Sequence, residues 1–351
     1  MSRNDDLKVG VVGVGRMGQR HCRVYANLRR VRLAGVCDPD PEVGRTVASL
    51  YEVPFFASTE DLLRQVEAVS LAAPTGLHFD LAIHCLSRGV HVLVEKPMTG
   101  TIEQAEALAQ AAAASDLTVA VGHIERFNPA YIELKHVLED MKMLAVNIRR
   151  LSPYSSSNKD VDVVLDLMLH DLDLVSDLIG GDPLLMGAYG LSAVGGTADY
   201  AVAQLGCIGG PLVTLTASRV TEQKIRSVEV TAQEAYLEGD LLNKGVAVYR
   251  HAIGEYLNHN RQGVKYRHEC IVERIHVPNF EPLFLELQHF VDCILDGKRP
   301  LISAEDGLRG LRLANEIRRT IYDGLAHLRE ALSPDEQRAA VVYSEMQSVP
   351  A

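Results

Sequence analysis

Three groups of residues in this 351-residue chain have the types and spacing to do chemistry. The first is Lys96, which closes the run Val90-His91-Val92-Leu93-Val94-Glu95-Lys96-Pro97. The run reads as a buried strand with a charged end, stopped by a proline that fixes φ and removes a donor. Such a strand delivers a lysine to one fixed place at a sheet edge, although a lone lysine there also serves as an ordinary surface charge. The second group is Asp166 and His170, four residues apart within 162–179, a segment with helical apolar periodicity. They share one helix side with Asp162, Asp173 and Asp177. That stripe is either a solvated face or a carboxylate–imidazole pair able to move a proton. The third group is Gly13-Val14-Gly15-Arg16-Met17-Gly18, with G-x-G-x-x-G spacing. Gly13 permits a tight turn, Gly15 lets backbone approach a pyrophosphate, and Gly18 lets helix and strand pack closely. The helix then aims free N–H groups at the phosphates.

The surrounding elements place these residues. Residues 7–13 form an apolar strand, 17–27 a helix, and 31–37 a second strand ending at Asp38. Asp38 follows Gly18 by twenty residues, where a carboxylate bonds the ribose hydroxyls of a dinucleotide. Asp38-Pro39-Asp40-Pro41 is also turn chemistry. A carboxylate there repels a 2′-phosphate, so NAD is expected over NADP, with nearby Arg45 as the opposing charge. A third strand, 68–73, leads into Pro74, Thr75, Gly76, Leu77 and His78, and a helix covers 78–87. A strand over 90–94, an alanine-rich helix capped by Thr99 or Thr101, and a strand over 117–121 ending at Gly122-His123 follow. Ligands in open α/β sheets bind beyond the carboxyl ends of the strands. Residues 13–18, Asp38, 74–78, Lys96 and His123 all fall at such ends.

After Gly122 the pattern changes. A crossing segment with Arg126 and Asn128 leads to a helix over 129–141 and a strand over 143–151. Tyr154 with Ser155, Ser156 and Ser157 is a polar loop before the 162–179 helix, either a substrate loop or a linker. Strands then follow one another from 184 to 277 without helices, with hairpin signals at Gly209-Gly210-Pro211, Glu238-Gly239-Asp240 and Asn243-Lys244-Gly245. Two helices, 282–295 and 304–322, end the ordered part, the second opened by Ser303 as cap. The expected architecture is α/β plus α+β: a doubly wound parallel sheet over 1–125, then an α+β domain over 126–325 built on a large, mostly antiparallel sheet. The helix near 300–322 is expected to pack back on the first domain, and 326–351 to form a peripheral tail. The open face of the second sheet is a surface for a partner subunit.

The bulk properties exclude several classes. A net charge of -11 argues against a general nucleic-acid binder. No apolar run reaches the length of a membrane span, and the first residues lack the apolar core of a signal peptide. Six cysteines are scattered without a CxxC pair, which fits reduced thiols in the cytoplasm, and no metal-ligand spacing is present.

Three stretches resemble the Gfo/Idh/MocA family of NAD(P)-dependent oxidoreductases: the glycine turn with Asp38, Glu95-Lys96-Pro97, and Asp166-x-x-x-His170. The likeness covers residues 7–322, including Gly297-Lys298-Arg299-Pro300 through Asn315. It implies a Rossmann domain with NAD held by Gly13, Gly15, Arg16, Met17, Gly18, Asp38, Pro74, Thr75, His78, Glu95, Lys96 and Arg126. It implies catalysis by Lys96, Asp166 and His170. His170 takes the hydroxyl proton, its ordinary pKa lying near working pH, Asp166 orients the imidazole, and Lys96 stabilises the alkoxide. Within the family, residues 122–129 resemble the branch of UDP-N-acetylglucosamine 3-dehydrogenases. That implies a UDP-sugar substrate touching Lys96, Asn128, Tyr154, Asp166 and His170, with a dimer or tetramer as the assembly. Candidates for the diphosphate are Arg149, Arg150, Lys159, Arg219, Lys224 and Arg226, each also an ordinary surface charge. Two alternatives stand beside this: a dehydrogenase of a free sugar or inositol, and a nicotinamide-bound sensor without catalysis.

Overall fold

The computed structural model describes residues 6–155, 161–194, 196–257 and 264–331, with backbone alone at 251–257, 264–269 and 327–331. Ser156, Ser157, Lys159 and the end of the expected tail, 332–351, lie outside the described residues. The chain divides into two units, one of Met1–Phe127 with Phe280–Arg312 and the other of Asn128–Asn279 with Leu313–Ala351.

The first unit is built on β1 (Leu7–Val12), β2 (Val31–Cys37), β3 (Phe55–Phe56), β4 (Ala68–Leu71), β5 (His91–Glu95) and β6 (Val119–Gly122). Their order is β3-β2-β1-β4-β5-β6, every pair parallel. The chain goes outward from β1 to β2, then returns to β4 on its other side, so the order reverses between β1 and β4, the usual crevice for a ligand. Valine-rich strands buried on both faces explain the sheet: Val9, Val11, Val69, Val92 and Val94 are fully buried. The helices are α1 (Arg16–Tyr25), α2 (Pro41–Leu50), α3 (Thr59–Leu63), α4 (His78–Ser87) and α5 (Ile102–Ala113). Thr101 caps α5, accepting from Gln104 N. The Asp-Pro-Asp-Pro run, read as a turn, also starts α2: Asp40 accepts from Glu42 N and Val43 N, and Pro41 takes the first helical position.

The expected span 126–325 for the second domain is interrupted. Helix α8 (Pro282–Asp296) belongs to the first unit because its apolar face, Leu283, Leu287, Phe290 and Val291, completes the core around Val9, Val24 and Tyr25. Leu287 and Phe290 are fully buried, which is worth roughly 1.5–3 kcal/mol each.

The second unit holds an eight-stranded sheet ordered β14-β13-β12-β11-β7-β10-β9-β8. Its strands are β7 (Met143–Leu151), β8 (Leu184–Leu191), β9 (Tyr200–Gly206), β10 (Leu212–Ser218), β11 (Ile225–Ala232), β12 (Tyr236–Asp240), β13 (Gly245–Leu257) and β14 (Val264–Ile275). Among the described residues of this sheet, β7 and β10 are the one parallel pair, the others being antiparallel. Glu238-Gly239-Asp240 is not the hairpin turn its residues signal but part of β12. The glycine is there for packing: a Cβ at Gly239 would come 3.2 Å from Leu134 of α6 (Pro129–Leu138). The turn falls at 241–244 instead. One sheet face packs on α6, α7 (Leu169–Ile179) and the part of α9 (Ala304–Ala331) from Leu313 onward.

Two buried ion pairs brace this unit. Arg150 on β7 donates from Nε and Nη2 to Asp171 Oδ1 on α7, at 2.9 and 2.7 Å, with both side chains at most 3% exposed. Arg219 donates to Asp199 Oδ1, the Val161 carbonyl and Thr197 Oγ1, each at 2.6 Å. Removing one partner leaves the other charge buried. Asp171→Ala should therefore lower unfolding stability by about 3–5 kcal/mol in denaturant titration, and the double replacement Arg150→Met with Asp171→Leu should recover much of that loss.

Candidate functional site

In the first unit, the glycine turn, Asp38, the 74–77 turn and Lys96 stand at the carboxyl ends of β1, β2, β4 and β5, four adjacent strands. Gly13 has φ +83°, and a Cβ there would lie 2.7 Å from Ala73 N. A Cβ at Gly18 would lie 1.9 Å from the Gly13 carbonyl oxygen, so only glycine lets α1 pack this close. Gly15 differs: among the described residues, nothing beyond its chain neighbours and the backbone of its own helix lies within 4 Å of the position its Cβ would take. The space there is open to an approaching phosphate, and Arg16 beside it is exposed, Met17 half-buried.

Asp38 Oδ2 accepts from Val14 N at 2.7 Å and Oδ1 from Asp40 N at 2.9 Å, so the carboxylate also holds the glycine turn. A carboxylate has about four acceptor positions, which leaves capacity for ligand hydroxyls. The guanidinium of Arg45 lies over the Phe55 ring, 5.8 Å from its centroid. Pro74 is exposed and Thr75 half-buried in a short 3₁₀ turn. The residues therefore fit a dinucleotide.

His78 does something else. It is 1% exposed, with Nδ1 2.9 Å from the Pro97 carbonyl and Nε2 2.8 Å from the Ala73 carbonyl. Expected at the cofactor, it has both ring nitrogens facing main-chain acceptors. Glu95, expected at the cofactor, has Oε1 2.9 Å from Nε2 of fully buried His21 on α1. Burial pushes the Glu95 carboxyl up. The His21 hydrogen bond and charge, with the Lys96 ammonium, outweigh that and hold it below the usual carboxylate range. His21 was missed in the sequence. Its signal was its place on the inner stripe of α1 with Gly18, Cys22 and Tyr25. The Lys96–Pro97 peptide is cis. Arg126, expected at the cofactor, is 7% exposed in the short turn Ile124–Phe127.

In the second unit, the expected continuous helix over 162–179 begins with a π turn, Val164–Met168, that runs into α7. Asp162 caps it, with Oδ1 accepting from Val164 N and Leu165 N at 3.1 Å and Oδ2 accepting from Arg318 Nε at 2.6 Å. The solvated-face reading of the acidic stripe is overturned. Asp162 and Asp173 are 2% and 5% exposed, and Asp177 accepts from Lys135 and Tyr131. Asp166, on the π turn, and His170, one turn on, are half-buried. Single π turns recur at functional sites.

Asn128, expected at the substrate, is 4% exposed and caps α6: Oδ1 accepts from Ala130 N at 3.1 Å and Nδ2 donates to the Leu241 carbonyl at 2.9 Å. Arg150 and Arg219 are spent in the buried pairs above, and Arg149 donates to Glu229 at 2.8 Å. Tyr154 is 42% exposed on the segment after β7.

A doubly wound parallel sheet with an open glycine turn at its switch point defines a dinucleotide-dependent enzyme class. The profile of the oxidoreductase family with an NAD-binding Rossmann fold (GFO_IDH_MocA) matches residues 7–123. UDP-N-acetylglucosamine 3-dehydrogenase of Acidithiobacillus ferrooxidans is 34% identical over 307 residues, covering 88% of this chain and 94% of that protein. A solved structure of the enzyme from that organism has a TM-score of 0.81 at 32% identity, over 90% of this chain and 98% of that one. NAD⁺-dependent scyllo-inositol 2-dehydrogenase of Bacillus subtilis is 23% identical over 345 residues, covering 91% of this chain and 95% of that protein. The chain belongs to the Gfo/Idh/MocA oxidoreductase family. It is an NAD-dependent oxidoreductase.

The two glycines separate fold from binding. Gly15→Ala should keep the wild-type melting temperature and weaken NAD binding at least about tenfold by calorimetry, because its Cβ enters the space for the pyrophosphate. Gly18→Ala should lose the fold of the first unit, seen as a lowered melting temperature without cofactor.

Proposed function

We propose that this protein oxidises the 3-hydroxyl of UDP-N-acetylglucosamine to the 3-oxo sugar nucleotide, a substrate for a later aminotransferase. The observation that carries this is the 34% identity to a UDP-N-acetylglucosamine 3-dehydrogenase along 94% of that protein's length. A carbonyl at C3 is what transamination to a 3-amino sugar requires. The second reading, oxidation of a free sugar or inositol, is favoured by the 23% likeness to an inositol dehydrogenase along 95% of its length.

NAD, when bound, supplies the hydride acceptor. The rest of the reaction falls to the chain. Gly13, Gly15, Gly18 and the first turn of α1 hold the pyrophosphate, and Asp38 receives ribose hydroxyls. Arg16, Met17, Pro74 and Thr75 line the same strand ends. Lys96 bonds the reacting hydroxyl and stabilises the oxygen as negative charge develops. His170 removes the hydroxyl proton, and Asp166 orients its ring. Tyr154 is exposed enough to meet the sugar nucleotide.

The assembly is a homo-oligomer, a dimer or tetramer, formed through the open face of the second sheet. With the helices on the Ala203 and Leu215 side, Tyr189, Leu191 and Leu212 stand on the other, 77%, 48% and 56% exposed. A broad sheet face carrying such side chains suits a two-fold contact with a second copy. Tyr189→Glu with Leu191→Glu should reduce the mass measured by light scattering to that of one chain; an unchanged oligomer places the contact elsewhere.

The direct test is NADH formation, followed by absorbance, with a panel of sugar nucleotides, free sugars and inositols. UDP-N-acetylglucosamine should be oxidised and should raise the melting temperature, as UDP alone should. Turnover of inositol with no shift from UDP selects the second reading. Lys96→Ala should abolish NADH formation with NAD still bound, and His170→Asn should lower kcat by about 10²–10⁴.

A further inference from the structure

Lys96 leaves β5 between two neighbours, and each neighbour is held by a buried histidine. Before it, the Glu95 carboxylate meets His21 Nε2 at 2.9 Å. The same carboxylate lies over Gly122 at the end of β6, where a Cβ would come within 3.2 Å of it. After it, the Pro97 carbonyl meets His78 Nδ1 at 2.9 Å, while the far nitrogen of that ring meets the Ala73 carbonyl at 2.8 Å. The histidines are 0% and 1% exposed. They ride on α1 and α4, helices that follow the two turns at the switch point, the glycine turn and the 74–77 turn.

We propose that His21 and His78 form a two-sided clamp that sets the direction of Lys96 and are positioning residues for the reaction; this rests on the reading of Lys96 as the group that bonds the reacting hydroxyl. Beyond Glu95 the chain leaves the parallel ladder, and the strand-to-strand pairing of β5 ends. A lysine carries four rotatable bonds, so a fixed backbone is one condition for placing its ammonium. The clamp braces the chain on both sides of Lys96 where the strand pairing ends. His21 grips through a side chain and His78 through a main-chain carbonyl, so together they fix both position and peptide orientation. A displacement of about 1 Å at such a residue lowers turnover on the order of 10²-fold.

Two kinds of substitution test the clamp. Asparagine places its amide near Nδ1 of a histidine, and glutamine places it near Nε2. At position 21, where the bond is made by Nε2, His21→Gln should turn over at least about fivefold faster than His21→Asn. At position 78, where Pro97 faces Nδ1, the order should reverse. NAD affinity should stay within about threefold of wild type in all four variants. Equal turnover within both pairs overturns the clamp.

A substrate-free measurement accompanies it. His21→Leu and His78→Leu should raise the rate at which an amine-acylating reagent modifies Lys96, read by peptide mass spectrometry, with Lys298 unchanged as internal reference. If the leucine variants do not fold, the amide variants are labelled instead, and His21→Asn and His78→Gln should be the faster of each pair. Unchanged Lys96 labelling overturns the clamp whatever the substrate. Wild-type protein that oxidises no sugar nucleotide but shows these labelling differences overturns the substrate reading alone.

Discussion

A carboxylate at the end of a buried parallel strand needs a partner, because an unpaired charge there costs several kcal/mol and pushes the strand end toward water. In this protein the carboxylate is Glu95, and His21 is the partner. The rest of the first unit can be traced from that bond. His21 reaches β5 only because α1 runs close to the sheet. It runs close because Gly18 carries no Cβ where one would strike the Gly13 carbonyl. One turn further along α1, Tyr25 meets Ser70 of β4 at 2.8 Å, a second buried polar bond between helix and sheet. The same glycine turn thus leaves open space at Gly15 and, through Gly18, delivers the residue that holds the end of β5.

The second unit solves a related problem with ion pairs. The segment that carries Asp166 and His170 enters through a π turn, a wider turn closed by i→i+5 bonds, and so departs from regular helical packing. Asp162 caps that entry and accepts from Arg318, while Arg219 holds the Val161 carbonyl just before it. Asp171, next to His170, is locked by Arg150 of β7. Three arginines, from β7, α9 and the segment after β10, therefore hold the irregular turn and its flanks, at positions where apolar packing alone would not dictate one geometry. Such buried pairs add little net stability against apolar replacements; their use here is to specify one arrangement.

Much of this was legible in the sequence. The parallel sheet followed from valine-rich runs separated by helical periodicity, and each strand except the two-residue β3 could be placed. The glycine turn and Asp38 could be read because their spacing has a local physical cause. What escaped depended on partners distant in sequence. His21 is one polar residue on a helix, and nothing near it in the chain names Glu95, 74 positions away. Nothing near Asn128 or His78 in the chain announces the Leu241, Ala73 and Pro97 carbonyls that they meet. The acidic stripe on 162–177 looked solvated because periodicity reports which side of a helix a residue occupies, not what packs against that side. Gly239 looked like a turn because the chain alone does not announce the approach of Leu134.

The central claim, that this enzyme takes hydride from C3 of a UDP-linked N-acetylglucosamine, is tested most directly by isotope transfer. The substrate is prepared with deuterium at C3 of the sugar and incubated with NAD and the protein, and the reduced cofactor is examined by mass spectrometry. One deuterium per reduced nicotinamide, with a ketone at C3 of the product, is the predicted result. Reduced cofactor without deuterium, or no reduction of NAD in the presence of this substrate, would contradict it.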